Sequence, residues 1–304
     1  MTLKSISRRR FLGLTAVAVG AAAVPFFVHR RRTQSAQPVA AKADVKKDQP
    51  FIWRGIALSA DSQLYLYHTS PQEANRLIAL MQDEVMRLEK IFSLYNPNTE
   101  IRRLNREGRL KNPSSDLLTV LSISRDIYER TKGAFDPTIQ PLWDVYAKHF
   151  AQHPHTEVGP DPEALKKAVA LVDFNKVHFD TQSVYFDKPG MALSLNGINQ
   201  GYTTDRITEL LRSEGVKQAL IDMGEIRGLA VDHDRTWEIG IRNPKNEKQV
   251  KFNISIQNQA LGTSGGYGTT LDEGGKFTHL LKKKNGNSKP RYLSVSVEAQ
   301  STAL

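Results

Sequence analysis

The chain has 304 residues, a formal net charge of +10 at pH 7 and no cysteine, which removes disulfides, thiolate nucleophiles and cysteine-ligated zinc from its chemistry. Arg8, Arg9, Arg10, Arg30, Arg31 and Arg32 all fall before residue 33, so the rest of the chain is only mildly basic. With no groove-reading motif, nucleic acid is not expected as a partner, and Lys282-Lys283-Lys284 reads as a solvated loop rather than a phosphate-tracking patch.

Residues 1–32 read as a targeting segment. Ser7-Arg8-Arg9-Arg10-Phe11-Leu12-Gly13 places consecutive arginines before an uncharged stretch from Phe11 to Val28, with small residues at Ala21-Ala22-Ala23. A basic start, an apolar middle and small residues describe a secretory signal, and the arginine pair followed by Phe-Leu resembles the twin-arginine type, which carries folded proteins through the Tat export machinery. A periplasmic location is therefore expected. The alternative is an uncleaved membrane anchor, since the apolar run is just long enough to span a bilayer and His29-Arg30-Arg31-Arg32 follows it; Pro25 and the glycines weigh against that reading. Residues 33–50, rich in Gln, Ala, Lys and Pro, read as a flexible linker. The body, residues 51–304, is long enough for one large domain with its own core or two intimate subdomains.

Within the body, Gln63 to His68 alternates as a strand does, and Pro71 to Phe92 carries apolar residues at helical spacing through Leu77, Leu80, Met81, Val85, Leu88 and Phe92. Asp116 to Thr131 repeats that spacing and is stopped by Gly133. Pro162 to Val172 predicts a shorter helix. Lys176–Phe179 and Ser183–Phe186 predict two short strands around a turn at Asp180-Thr181-Gln182. Thr203 to Glu214 predicts another helix ending at Gly215, followed by the buried strand Ala219–Met223; from Trp237 onward the pattern is nearly all strand and turn. Helices and strands mix without regular βαβ alternation, so the fold class expected is α+β, a single large mixed domain of largely antiparallel strands with packed helices.

Four segments have compositions that packing alone does not demand. Phe92-Ser93-Leu94-Tyr95-Asn96-Pro97-Asn98-Thr99-Glu100 sets Tyr95 at a helix end beside a turn, where it either caps a core or meets a ligand. Gly133-Ala134-Phe135-Asp136-Pro137-Thr138, continuing to Trp143, is either a tight turn or a place where backbone approaches a ligand and a carboxylate accepts from it. Asn196-Gly197-Ile198-Asn199-Gln200-Gly201-Tyr202 puts glycines at the mouth of a helix, where exposed N–H groups and the positive dipole end can hold a pyrophosphate; Gly201 could equally serve close packing. Thr263-Ser264-Gly265-Gly266-Tyr267, with His279 beyond a turn at Asp272-Glu273-Gly274-Gly275, offers hydroxyls suited to phosphate oxygens and an imidazole suited to proton transfer.

The order of these segments, with Asp222-Met223-Gly224-Glu225-Ile226 and His279-Leu280-Leu281, resembles the ApbE family of FAD:protein FMN transferases over about Phe51 to Leu304. Within that family the chain looks most like the exported branch associated with nitrous-oxide respiration. The resemblance implies cleavage of the FAD pyrophosphate, transfer of FMN to a Thr or Ser hydroxyl of an acceptor protein, such as a membrane-bound electron-transfer protein, and release of AMP, with Mg²⁺ on the phosphates. It further implies that Tyr95, Ala134, Phe135, Asp136, Ser194, Gln200, Thr263, Ser264 and Leu281 bind FAD, that the Gly197 carbonyl approaches the metal and that His279 is the base for the acceptor hydroxyl. Ser194 stands where the family places an acid, Gln200 where it places Lys or Glu, and Lys282 where it places an Asp. The family's main metal carboxylate and hydroxyl are expected beyond Leu304. The alternative to the enzyme is a catalytically weak FAD-binding protein that delivers flavin.

Overall fold

The structure, a computed structural model, describes residues 49–58, 60–284, 286 and 291–303; the expected targeting segment and nearly all of the expected linker lie outside the described residues. In chain order the elements are β1 (Phe51–Ala57), β2 (Ala60–Leu66), α1 (Pro71–Phe92), α2 (Glu100–Glu107), β3 (Arg109–Lys111), α3 (Ser115–Arg130), α4 (Gln140–Gln152), α5 (Pro162–Val169), β4 (Val177–Phe179) and β5 (Ser183–Phe186). There follow α6 (Asn199–Ser213), β6 (Gln218–Asp222), β7 (Ile226–Ala230), β8 (Trp237–Asn243), β9 (Asn246–Ile256), β10 (Ala260–Gly265) and β11 (Ser294–Ala299).

Six strands form an antiparallel sheet in the order β1-β2-β6-β7-β10-β11. Successive side chains of a strand point to opposite faces, and β6 shows what each face meets: Ala219 and Ile221 pack with Leu77 and Met81 of α1 and Ile207 and Leu211 of α6, whereas Leu220 packs with Trp237, Ile239 and Ile256 of the β8–β9 hairpin. Covered on both sides, β6 is buried along its whole length. A second core gathers the end of α1 (Leu88, Phe92), α2 (Ile101, Leu104) and α3 (Leu117, Leu121) over the three-stranded sheet β3-β5-β4. A third joins α4 and α5 through Leu142, Tyr146, Phe150 and Ala168, with Phe277 and Leu281 from the late chain laid against it. The α+β architecture with largely antiparallel strands is as expected.

Two helices escape the periodicity reading. In α2, only Ile101 and Leu104 are buried, too few apolar positions to make a stripe. Its ends are nevertheless well marked: Thr99 accepts from Arg102 N, and Gly108 closes the helix in the left-handed region at φ 69. Helix α4 grows directly out of the Asp136–Ile139 turn, where the Pro-rich sequence reads as loop. Conversely α5 stops at Val169, short of the expected Val172, because Leu171 N and Val172 N turn back to the carbonyls of Ala168 and Val169.

A charged network ties α1, α3 and α6. Asp116, in the first turn of α3, accepts from Arg87 Nη1 of α1 at 2.7 Å and from the Tyr202 hydroxyl of α6 at 2.7 Å, and Arg87 also grips Glu84. Burial alone would raise the Asp116 carboxyl, but the bonds from Arg87 and Tyr202 more than offset it and hold it below the usual carboxylate range. Asp116→Ala leaves the Tyr202 hydroxyl without its acceptor, and should lower stability by about 2 kcal/mol, read as a melting temperature roughly 4–8 °C lower. Asp116→Asn should fall between the two.

Candidate functional site

The segments singled out in the sequence converge at the mouth of α6. Residues 193–195, which lead into it, are held from two sides: Asn105 of α2 donates from Nδ2 to Leu193 O at 2.8 Å and accepts from Leu193 N at 2.7 Å, and Ser194 N donates to Pro137 O at 2.8 Å. The Phe135 ring consequently lies beside Gly197, 3.7 Å from where a Cβ on that glycine would stand. The helix starts at Asn199, four positions before the expected Thr203, with Ile198 N and Asn199 N already donating to Leu195 O. Gln200 is therefore in the first turn.

From Gln200 a path of contacts crosses to the sheet. The Gln200 side chain covers Gly224, whose φ of 101 only glycine accepts readily and where a Cβ would come within 3.0 Å of the amide. Thr204 donates to Gln200 O at 2.9 Å and to Glu225 O at 3.4 Å. Glu225 Oε2 accepts from Thr263 N at 3.2 Å, and the Thr263 hydroxyl meets that of Ser296 at 2.9 Å. Thr263 and Ser264 are both exposed on β10. Burial, with Asp222 nearby, raises the Glu225 carboxyl to about 7 despite the bond from Thr263. Nothing in the composition of Met223-Gly224-Glu225 gave that acid a role; the signal was an acid directly after a glycine turn at the end of a buried strand.

Gly201 serves packing, the second of its two readings. A Cβ there would sit 2.1 Å from the Thr302 carbonyl oxygen, and Thr302 Oγ1 donates to Gly201 O at 2.6 Å. Asp205 accepts from Thr302 N and Ala303 N at 3.0 Å, while Arg227 bridges Asp205 and Gln300 O. The chain after β11 is thereby bound along the flank of α6.

Asp136 and Lys283 form a second junction. Asp136 Oδ1 accepts from Thr138 N and Oγ1, and Oδ2 from Lys283 Nζ at 2.6 Å and Phe174 N at 3.4 Å. The Asp136 side chain is only 1% exposed, so both of its carboxylate oxygens are committed to holding the fold, while Ala134 is exposed and Phe135 is half-buried against the core of α1, α2 and α3. Lys283 also lies 5.1 Å from the centre of the Tyr128 ring. Its expected place in a solvated loop is thus overturned, because the buried Asp136 carboxylate draws it in; Lys282 and Lys284 are exposed.

His279 lies in the same stretch. Its Nδ1 is 3.0 Å from the Thr269 carbonyl, which can only accept, so the proton resides on Nδ1 and Nε2 is left as the basic atom. Burial lowers its pKa below the usual imidazole value against the opposing effect of Thr269. Leu281 is half-buried against the α4–α5 core. Tyr95 is 74% exposed on a turn fixed by Ser93 Oγ, which accepts from Tyr95 N and Asn96 N; capping a core is excluded, and a large aromatic ring is left standing in solvent. Among the described residues no group of three or more His, Asp or Glu side chains could hold a metal ion, so the acids of this region do not by themselves constitute a Mg²⁺ site.

The sequence model of the ApbE family matches residues 58–304. A Haemophilus influenzae FAD:protein FMN transferase is 26% identical over 250 residues, covering 76% of this chain and 72% of that one, and a Vibrio cholerae FAD:protein FMN transferase is 25% identical over 236 residues, 75% and 68% of the two chains. Among solved structures, the fold is shared with the ApbE protein of Thermotoga maritima at a TM-score of 0.71 and 21% identity, over 84% of this chain and 83% of that one. It is shared too with the apo form of the Pseudomonas stutzeri flavinyl transferase ApbE, at 0.69 and 20%, over 86% and 82%. With the match running from Leu58 through the Phe135, Gly197, Thr263 and His279 segments to Leu304, the chain belongs to the ApbE family.

Proposed function

We propose that this protein is an FAD:protein FMN transferase that works outside the cytoplasm: it splits the FAD pyrophosphate, passes FMN to a Thr or Ser hydroxyl of an exported or membrane acceptor protein and releases AMP. The observation that carries the reading is the continuous path Phe135–Gly197–Gln200–Gly224–Glu225–Thr263–Ser296. An aromatic ring, a helix mouth and a row of hydroxyls are brought together there from distant parts of the chain. Phosphoryl transfer needs positioning and charge stabilisation more than covalent help. The N–H groups at the start of α6 and the hydroxyls of Thr263 and Ser264 suit the pyrophosphate, and the exposed ring of Tyr95 and the half-buried ring of Phe135 suit the flat ends of FAD.

In the transfer step the acceptor oxygen bonds to the FMN-side phosphorus as the bond from that phosphorus to the bridging oxygen breaks. AMP leaves with the bridging oxygen and its electron pair, and the hydroxyl proton passes to His279 Nε2. A Mg²⁺ ion, when bound, would neutralise phosphate charge, with the Gly197 carbonyl as its contact among the described residues. Export rests on Arg8-Arg9-Arg10-Phe11-Leu12, a twin-arginine-like pattern.

The direct test incubates the purified protein with FAD, Mg²⁺ and an acceptor domain and follows covalent flavin fluorescence on the acceptor together with free AMP. Bound FAD with neither product would make the protein a flavin carrier. His279→Ala should lower kcat by about 10²–10⁴-fold while leaving FAD affinity nearly unchanged. Because burial lowers the His279 pKa, its neutral form persists to lower pH; kcat at saturating FAD should hold its plateau below the ordinary imidazole range and fall only on further acidification. Replacing Arg8 and Arg9 by Lys should leave the protein in the cytoplasm on cell fractionation, whereas undiminished periplasmic recovery would exclude the twin-arginine route.

A further inference from the structure

Glu225 has a free end. Its Oε2 is engaged by Thr263 N, but Oε1 has no hydrogen-bond partner among the described residues. The backbone fixes where that oxygen sits. The turn between β6 and β7 is closed by Met223 N donating to Glu225 O at 3.2 Å and by Gly224 N donating to Asp222 Oδ1 at 3.1 Å, and Thr204 of α6 reaches Glu225 O from the other side. The β7–β10 ladder ends at the pair Leu261–Ile226; one residue further, the chain of β7 turns away and the Glu225 carboxyl takes over, bracing the strand at Thr263. Glu225 is thereby held between α6, whose Thr204 reaches its carbonyl and whose Gln200 covers the adjacent Gly224, and β10, where its Oε2 accepts from Thr263 N.

Resting on the transferase reading of this site, we propose that Glu225 is a cofactor-binding residue that works as the neutral acid, Oε2 bracing Thr263 and the Oε1 hydroxyl donating to a phosphate oxygen of FAD. An ionised carboxylate there would repel the two negative charges of the pyrophosphate, whereas a protonated one supplies a donor. The surroundings favour the neutral form. Asp222 adds a like charge from the same turn, and among the described residues α6 and β10 bring the neutral Gln200, Thr204 and Thr263 to it.

The test is FAD affinity by flavin fluorescence titration of the wild-type protein, Glu225→Gln and Glu225→Asp at pH 6 and pH 8, a range in which the FAD phosphates do not change charge. With the acid titrating at about 7 and only its protonated form binding, wild-type affinity should fall about tenfold from pH 6 to pH 8. Glu225→Gln reproduces the neutral acid, accepting from Thr263 N and donating to phosphate, and should keep the pH 6 affinity at both values. Glu225→Asp is one methylene short of the phosphate and should bind weakly at both, with an unchanged melting temperature showing that it folds. A tenfold fall that survives in Glu225→Gln would assign the titration to another group, such as His279, and overturn the proposal, as would a wild-type affinity independent of pH. Failure of the wild-type protein to bind FAD at either pH would instead overturn the transferase reading on which the proposal rests.

Discussion

The candidate site depends on one desolvated ion pair. Asp136 and Lys283 are separated by 147 positions in the chain and meet at 2.6 Å, with the carboxylate also taking donors from Thr138 and Phe174. Removing a buried carboxylate from water is tolerable only when its oxygens are satisfied, so the segment bearing Lys283 has little freedom to leave. Gly286 is fixed next to it by the Tyr146 hydroxyl at 2.6 Å, and His279 is fixed before it by Thr269. The pair thereby fastens the imidazole-bearing stretch to the turn that presents Phe135, and Phe135 in turn borders the α6 mouth.

A second constraint works through the absence of a side chain. At Gly201 the backbone of Thr302 comes so close that no Cβ fits, and Asp205 and Arg227 clamp the neighbouring peptide groups. One flank of the first turn of α6 is thus spent on packing. What stays open is the approach over Asn196 and Gly197, both exposed, which is the side on which Phe135 lies. Selection of one face of a helix start by a glycine contact on the other explains how a generic anion-binding feature becomes directional.

The parts of the fold legible from sequence are those with long, regular burial. The 22-residue helix Pro71–Phe92 buries Leu77, Met81, Val85, Leu88 and Phe92 on one side, and its spacing announces it. The short α2 does not, because its boundary signals are caps rather than periodicity, and α4 hides in a motif whose prolines suggest a loop. Within the site, glycine at a helix mouth and hydroxyls on a strand could be picked out by residue type. Whether Gly201 served packing or a ligand could not, since the deciding atom is a carbonyl one hundred and one positions away. Lys283 was equally illegible: three consecutive lysines look alike until the fold supplies a buried carboxylate to one of them.

The charge pattern of the site suits an anionic ligand. Helix-start N–H groups offer only partial positive charge, so a pyrophosphate is held there most readily if no full negative charge opposes it. Ser194 and Gln200 are neutral, the Asp136 charge is matched by Lys283, and Asp205 is turned to Thr302 and Arg227. Glu225 is the acid left at the hydroxyl row, and burial together with Asp222 pushes it toward the neutral form. Asp136 and Asp205 are thus paired with cations and Glu225 is displaced toward protonation, and a doubly charged ligand would meet dipoles, hydroxyls and a proton whose presence depends on pH near neutrality.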